Sequence, residues 1–122
     1  MKIIAFDFDG VIAEYDGWKG EDIFGEPIKE TIKVMIDLYI KDFSIIIWTC
    51  RRDTPALRNW LHKNHVPFDS INSISHNPPG TSGKPAYDVL VDDRAINFKP
   101  GINLLETINE VLIRKESVLK VL

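Results

Sequence analysis

The chain is short of cysteine: Cys50 is the only one among 122 residues. No internal disulfide can form, a reducing compartment fits, and the expected location is the cytoplasm. Histidine is scarce as well. His62, His65 and His76 have no metal-ligand spacing around them, which argues against a histidine-built metal site. Long hydrophobic runs are missing, the amino-terminal one being too short for a signal peptide or a membrane span. So is a strong charge of either sign. Fifteen basic residues against eighteen acidic ones leave a formal −3, with no general pull toward nucleic acid or anionic lipid; only local basic clusters are left to contact phosphates. Repeats, low-complexity tracts and linkers are absent too. At 44% hydrophobic and 27% charged, the composition is that of a globular protein, expected to form one domain over 1–122.

What is present is organised around Lys2 to Val11, KIIAFDFDGV. Ile3 to Phe6 read as a strand buried on both faces, as in a parallel sheet. Side chains two apart on an extended chain share a side, so Asp7 and Asp9 can face one site at the strand's carboxyl end, where open α/β sheets bind ligands. Gly10 lets the backbone turn there. Two carboxylates this close raise each other's pKa unless a hard cation such as Mg²⁺, which takes oxygen ligands, relieves them.

The remaining chain alternates strands and helices. Residues 12–27 are polar and glycine-punctuated, a loop with a short hairpin; its Trp18 either packs on the domain or offers a stacking face beside the site. Pro27 suits a helix's first turn, and Ile28, Ile32, Met35, Ile36, Tyr39 and Ile40 follow at helical spacing. Phe43 to Trp48 is a second apolar strand, ending in Thr49-Cys50-Arg51-Arg52. A helix capped by Asp53 or Thr54 starts at Pro55 and ends near Asn64. A weak third strand lies near Ser70 to Ser73. The following loop leads to Lys84, which is not a P-loop lysine: Pro85 stands where the magnesium-holding Ser or Thr belongs, and the segment leads into a strand. Tyr87 to Val91 is a fourth strand, ending in Asp92-Asp93. Beyond Gly101, Leu104, Ile108, Val111 or Leu112, Val118 and Leu122 recur at helical spacing. The first half of this helix is expected to cover the sheet, and Ser117 to Leu122 to offer a homo-oligomer contact. The expected architecture is an α/β, Rossmann-like, three-layer domain with a central, mainly parallel sheet.

Strand ends or their neighbours thus supply, in order, a carboxylate pair, a Thr, a Lys and a second carboxylate pair. That set suits phosphoryl transfer: a magnesium ion and a lysine neutralise the phosphate, one carboxylate attacks phosphorus, and another protonates the leaving oxygen and then activates water.

DFDGV at Asp7 to Val11, WTCR with Thr49, Lys84, and LVDD ending at Asp92-Asp93 resemble the four ordered motifs of the haloacid dehalogenase (HAD) superfamily of phosphatases. The resemblance covers roughly Lys2 to Phe98. It implies Asp7 as nucleophile and magnesium ligand, and Asp9 as general acid/base with its backbone carbonyl on the metal. It places Thr49, with Cys50 and Arg51 beside it, and the peptide N–H groups near Gly10 on the phosphoryl group. Lys84 would steady nucleophile and phosphate; Asp92 would hold magnesium, with Asp93 sharing or supporting that role. Val11 replaces the usual Thr, a variant that also occurs in the family, and the segments after Gly10 and before Lys84 are too short for a cap domain. An open site admits bulky phosphates or closes with a partner subunit. The expected activity is therefore a magnesium-dependent phosphomonoesterase working on a phosphorylated substrate through an aspartyl-phosphate. Its sub-case is a nucleotide or polynucleotide-end phosphatase using Trp18, Arg51 and Arg52. From other classes come a phosphate-accepting signalling domain, whose acidic pair and lysine stand in a different order, and a silent binding module on the same fold.

Overall fold

The computed structural model describes residues 2–121, with side chains through 115. The four apolar runs become β1 (Ile3–Phe6), β2 (Ser44–Ile47), β3 (Ser70–Ile71) and β4 (Val89–Val91). All pair in parallel, in the order β3-β2-β1-β4. Ile3 to Phe6 stand opposite Ser44 to Ile47, and Ile4 to Phe6 opposite Val89 to Val91. Their carboxyl ends therefore share one edge. At the opposite edge two carboxylates close the ladders: Asp88 accepts the Ile3 N–H and Asp69 the Ile45 N–H, each at 2.7 Å.

The central strands are dry. Ala5 and Ile45 to Ile47 have no exposed surface, which explains why these runs do not alternate. Two helices link strands: α1 (Lys29–Ile40) between β1 and β2, and α2 (Pro55–Lys63) between β2 and β3. Ile32 and Met35 of α1 and Leu57 and Leu61 of α2 are buried, and such side chains each contribute about 1.5–3 kcal/mol of burial. The Thr54 hydroxyl caps α2 by accepting the Leu57 N–H at 3.2 Å, with Pro55 in the first turn. α1 begins at Lys29 rather than Pro27, because Pro27 pairs with Ala13 as an isolated bridge and Ile28 donates to the Ile12 carbonyl. That pairing, with the Glu14 N–H on the Glu26 carbonyl, is the expected short hairpin at the base of the loop.

Two expectations need correction. β4 is shorter than Tyr87–Val91, and it is an edge strand whose Val89 is half exposed. The last helix, α3 (Leu104–Val121), does not lay its apolar stripe on the sheet. Leu104, Leu105, Ile108, Leu112 and Ile113 are exposed, and the partly buried positions are Thr107, Val111 and Lys115, one turn apart. On that side Lys115 is ion-paired with Asp93. The expected oligomer contact at Ser117 to Leu122 lies outside the described side chains. Among the described residues, no helix is long and apolar enough to cross a membrane.

Candidate active site

The site begins with the alternation in Asp7-Phe8-Asp9. Phe8 is fully buried and stacks edge-on against Phe24 and Trp60, with ring centroids 5.9 and 5.0 Å away. Anchoring Phe8 inward turns both neighbouring carboxylates toward the cavity at the sheet edge. Asp7 extends the β1–β4 ladder, its N–H donating to the Val91 carbonyl at 2.9 Å. Gly10 has φ +85°, and a Cβ there would overlap the Asp93 carboxylate. Only glycine meets both demands. Its own N–H donates to the Ala13 carbonyl at 2.7 Å. Of the N–H groups near Gly10 expected on the phosphate, Gly10's own is thus engaged within the loop; Gly10 shapes the turn and lets Asp93 approach.

β1 and β4 are neighbours, so Asp7 meets Asp92 and Asp93. One carboxylate oxygen from each lies within 4.8 Å of the others, and all three residues are partly buried. Asp92 accepts the Arg94 N–H at 2.8 Å. Asp93 is ion-paired with Lys115 of α3, and its carbonyl accepts from the Arg114 guanidinium at 3.2 Å. Its second carboxylate oxygen, Oδ1, is buried without a partner. Among the described residues no cation pairs with Asp7 or Asp92. Burial first, then the charge of Asp92 and, more weakly, those of Asp93 and Asp9, push the Asp7 carboxyl up to about 7 against an opposing hydrogen bond from the Phe8 N–H. Three converging carboxylates, two without a cation and one with an orphaned oxygen, are the donor set that a hard divalent ion satisfies.

Asp9 stands apart from this triad. Its carboxylate is gripped in a fork by Arg51, with Nε–Oδ2 at 2.8 Å and Nη2–Oδ1 at 3.0 Å. Arg51 is buried, and its other N–H groups donate to the carbonyls of Gly20, Glu21 and Ile23. Its guanidinium lies 4.8 Å from the ring centroids of both Trp18 and Phe24. With its N–H groups so engaged, Arg51 has no donor left for a substrate phosphate. Its expected binding role is corrected to a positioning one: it orients Asp9 and pins the loop that carries Trp18.

Thr49 follows β2 as expected and lines the cavity with exposed Cys50. Its hydroxyl accepts the Arg51 N–H at 3.1 Å, which leaves its O–H to donate. The turn is held by Asn72, whose side chain takes the Thr49 N–H at 2.8 Å and donates to the Arg51 carbonyl at 3.0 Å. Asn72 has φ +54°, a conformation asparagine tolerates. Lys84 is not brought to the aspartates. It is exposed, its ammonium lies 5.9 Å from the Tyr87 ring centroid, and it does not line the cavity. Asn77 fixes this loop by donating to the Lys84 carbonyl and accepting from the Ala86 N–H, and the lysine is held outside. The cations near the triad are instead Lys115 and Arg94, the latter lining the cavity.

The cavity measures about 370 Å³, and Tyr15, Trp18 and Trp48 form the wall beside Asp7, Asp92 and Thr49. Sequence reasoning missed Arg94, Lys115 and Asn72. Arg94 was legible as the residue after the second acidic pair. Lys115 was not, because nothing local links it to Asp93.

The comparisons with known proteins agree on architecture. No family model matches the chain, and no curated protein does. A conserved protein from Bacteroides thetaiotaomicron superposes with a TM-score of 0.61 at 27% identity, over 93% of this chain and 90% of that one. A crystallised target protein from Vibrio cholerae superposes with a TM-score of 0.51 at 23% identity, over 94% and 99%. Neither name states an activity; what the chain shares with these structures is a small α/β domain built on a parallel sheet.

Proposed function

We propose that the protein is a magnesium-dependent phosphomonoesterase of the HAD type, working through an aspartyl-phosphate on Asp7. The observation that carries this reading is the meeting of Asp7 with Asp92 and Asp93 at the carboxyl edge of a parallel sheet, with Asp7 and Asp92 lining a cavity that Thr49 also lines. Asp7, Asp92 and Asp93 would hold the cation, which when bound supplies charge neutralisation for the phosphoryl oxygens. The free oxygen of Asp7 attacks phosphorus, and the bond to the ester oxygen breaks. The Thr49 O–H and the Arg94 guanidinium contact the phosphoryl oxygens. Asp9, aimed by Arg51, takes the proton from the water that opens the acyl phosphate; with both its oxygens accepting from Arg51 it is not the proton donor that the resemblance implies, and the leaving oxygen takes its proton from solvent. A nucleotide-directed phosphatase is the sub-case favoured by the aromatic cavity wall.

The test is phosphate release from a generic aryl phosphate with Mg²⁺. Activity should require the metal and vanish in Asp7→Asn. Equal inertness of both proteins across a broad phosphate-ester panel would leave a binding module instead. A phospho-enzyme surviving far beyond seconds would point to a signalling domain.

A further inference from the structure

We propose that the aromatic wall of the cavity binds the planar ring of a small phosphomonoester, with the chemistry of a nucleoside monophosphate, and that Trp18 is its stacking face. This deepens the phosphatase reading and rests on it for the position of the phosphate. The ring site itself rests on separate observations.

Trp18 is 59% exposed on a loop, yet the loop is not free. Arg51 donates to three of its carbonyls, at Gly20, Glu21 and Ile23, and lays its guanidinium against the Trp18 ring. The indole is therefore held in place on a buried cation while much of its surface stays open beside the cavity. A large aromatic kept rigid and exposed in this way loses little entropy on stacking a ligand. Tyr15 and Trp48, both partly buried, complete the wall. Arg94 lines the same cavity, its guanidinium 5.9 Å from the Tyr15 ring centroid. The lining of the cavity thus combines hard oxygens and a hydroxyl with aromatic rings. A phosphate joined to a planar ring through a short polar spacer meets both.

The loop argues for a small molecule. Residues 14–22 carry Glu14, Asp16, Glu21 and Asp22 against Lys19 alone. Lys19 is paired with Asp16, and Arg52 with Glu21. An acidic loop beside the cavity disfavours the repeated phosphates of a polynucleotide, which would need a basic track.

Two measurements test the proposal. The first is kcat/KM for nucleoside monophosphates against ribose 5-phosphate, which keeps the phosphate and the sugar and lacks the ring. The wild type should prefer the ring-bearing esters by roughly ten- to a hundredfold, the range expected of one base–aromatic stack. Trp18→Ala should collapse that ratio and Trp18→Phe should largely restore it. The second is quenching of tryptophan fluorescence by the free nucleosides, which have no phosphate and need no turnover. Quenching should saturate in the wild type, and binding measured by equilibrium dialysis should persist in Trp18→Phe and be lost in Trp18→Ala. Equal turnover of ribose 5-phosphate and nucleotides, with no nucleoside binding, would overturn the ring site and leave the phosphatase standing. Trp18-dependent nucleoside binding without any phosphate release would uphold the ring site and remove the phosphatase. Preference for the phosphorylated end of an oligonucleotide over mononucleotides would overturn the small-substrate assignment.

Discussion

Arg51 shows how one side chain can serve both fold and site. Its fork holds Asp9, its remaining N–H groups hold the 20–23 backbone, and its planar face supports Trp18. Arg51→Ala should destabilise the protein by about 3 kcal/mol, because removing one partner of a largely buried pair strands the other charge. Arg51→Lys keeps the charge and loses the fork, so it should fold better than the alanine variant yet share its fall in kcat. Denaturant unfolding beside steady-state kinetics separates these effects; an Arg51→Lys enzyme with wild-type kcat would show that the orientation of Asp9 does not matter. Gly10 makes a second demand at this scale. Gly10→Ala places a methyl group against the Asp93 carboxylate at φ +85°, and should cost about 1–3 kcal/mol of strain while weakening Mg²⁺ binding by displacing Asp93. Titration calorimetry with Mg²⁺ and a thermal melt check both parts.

At the scale of elements, α3 is the unexpected one. It presents exposed leucines and isoleucines to solvent and reaches the domain through Lys115 and Arg114 on Asp93. Lys115 is therefore a cation already seated on a carboxylate that the metal would use. Lys115→Ala should free Asp93 and tighten Mg²⁺ or Mn²⁺ binding several-fold, since the ammonium no longer competes. The same change should lower the hydrogen-exchange protection of residues 104–115, because that anchor is gone. Unchanged metal affinity with unchanged protection would make the ion pair incidental. The strands and two linking helices were legible because their signals are local: short apolar runs, Pro55 behind Thr54, and Ile and Leu at helical spacing. The carboxylate pairs were legible because parallel strands share a carboxyl edge. The facing of α3 was not, because periodicity defines a stripe without saying what meets it. Lys84 and Arg51 were misread for a related reason. A charged residue beside a motif looks available for substrate, and only the tertiary structure shows Arg51 engaged internally and Lys84 turned outward.

The whole molecule holds an unbalanced group of partly buried carboxylates at one sheet edge, and its stability should register that. The Asp7 carboxyl sits at about 7 in the folded chain, against about 3.9 in an unfolded one. Between those values the folded state keeps a proton that the unfolded state has lost. Stability from this group is therefore greatest at low pH and falls as pH rises toward about 7, where the folded carboxyl also ionises. A divalent ion reverses the trend. It favours the ionised form, and above about pH 7 no proton competes for the oxygen, so metal stabilisation grows with pH. Without metal, the wild type should lose melting temperature between about pH 5 and about pH 8 relative to Asp7→Asn, which has no charge to develop. With Mg²⁺ the wild type should recover that loss at the higher pH, and Asp7→Asn should recover less. Thermal melts of the two proteins at both pH values, with and without the ion, decide the matter. Parallel behaviour of wild type and Asp7→Asn would mean that the three aspartates do not share a cation. A stabilisation by Mg²⁺ that needs Asp7 and strengthens with pH would place the ion on that carboxylate whatever the substrate proves to be.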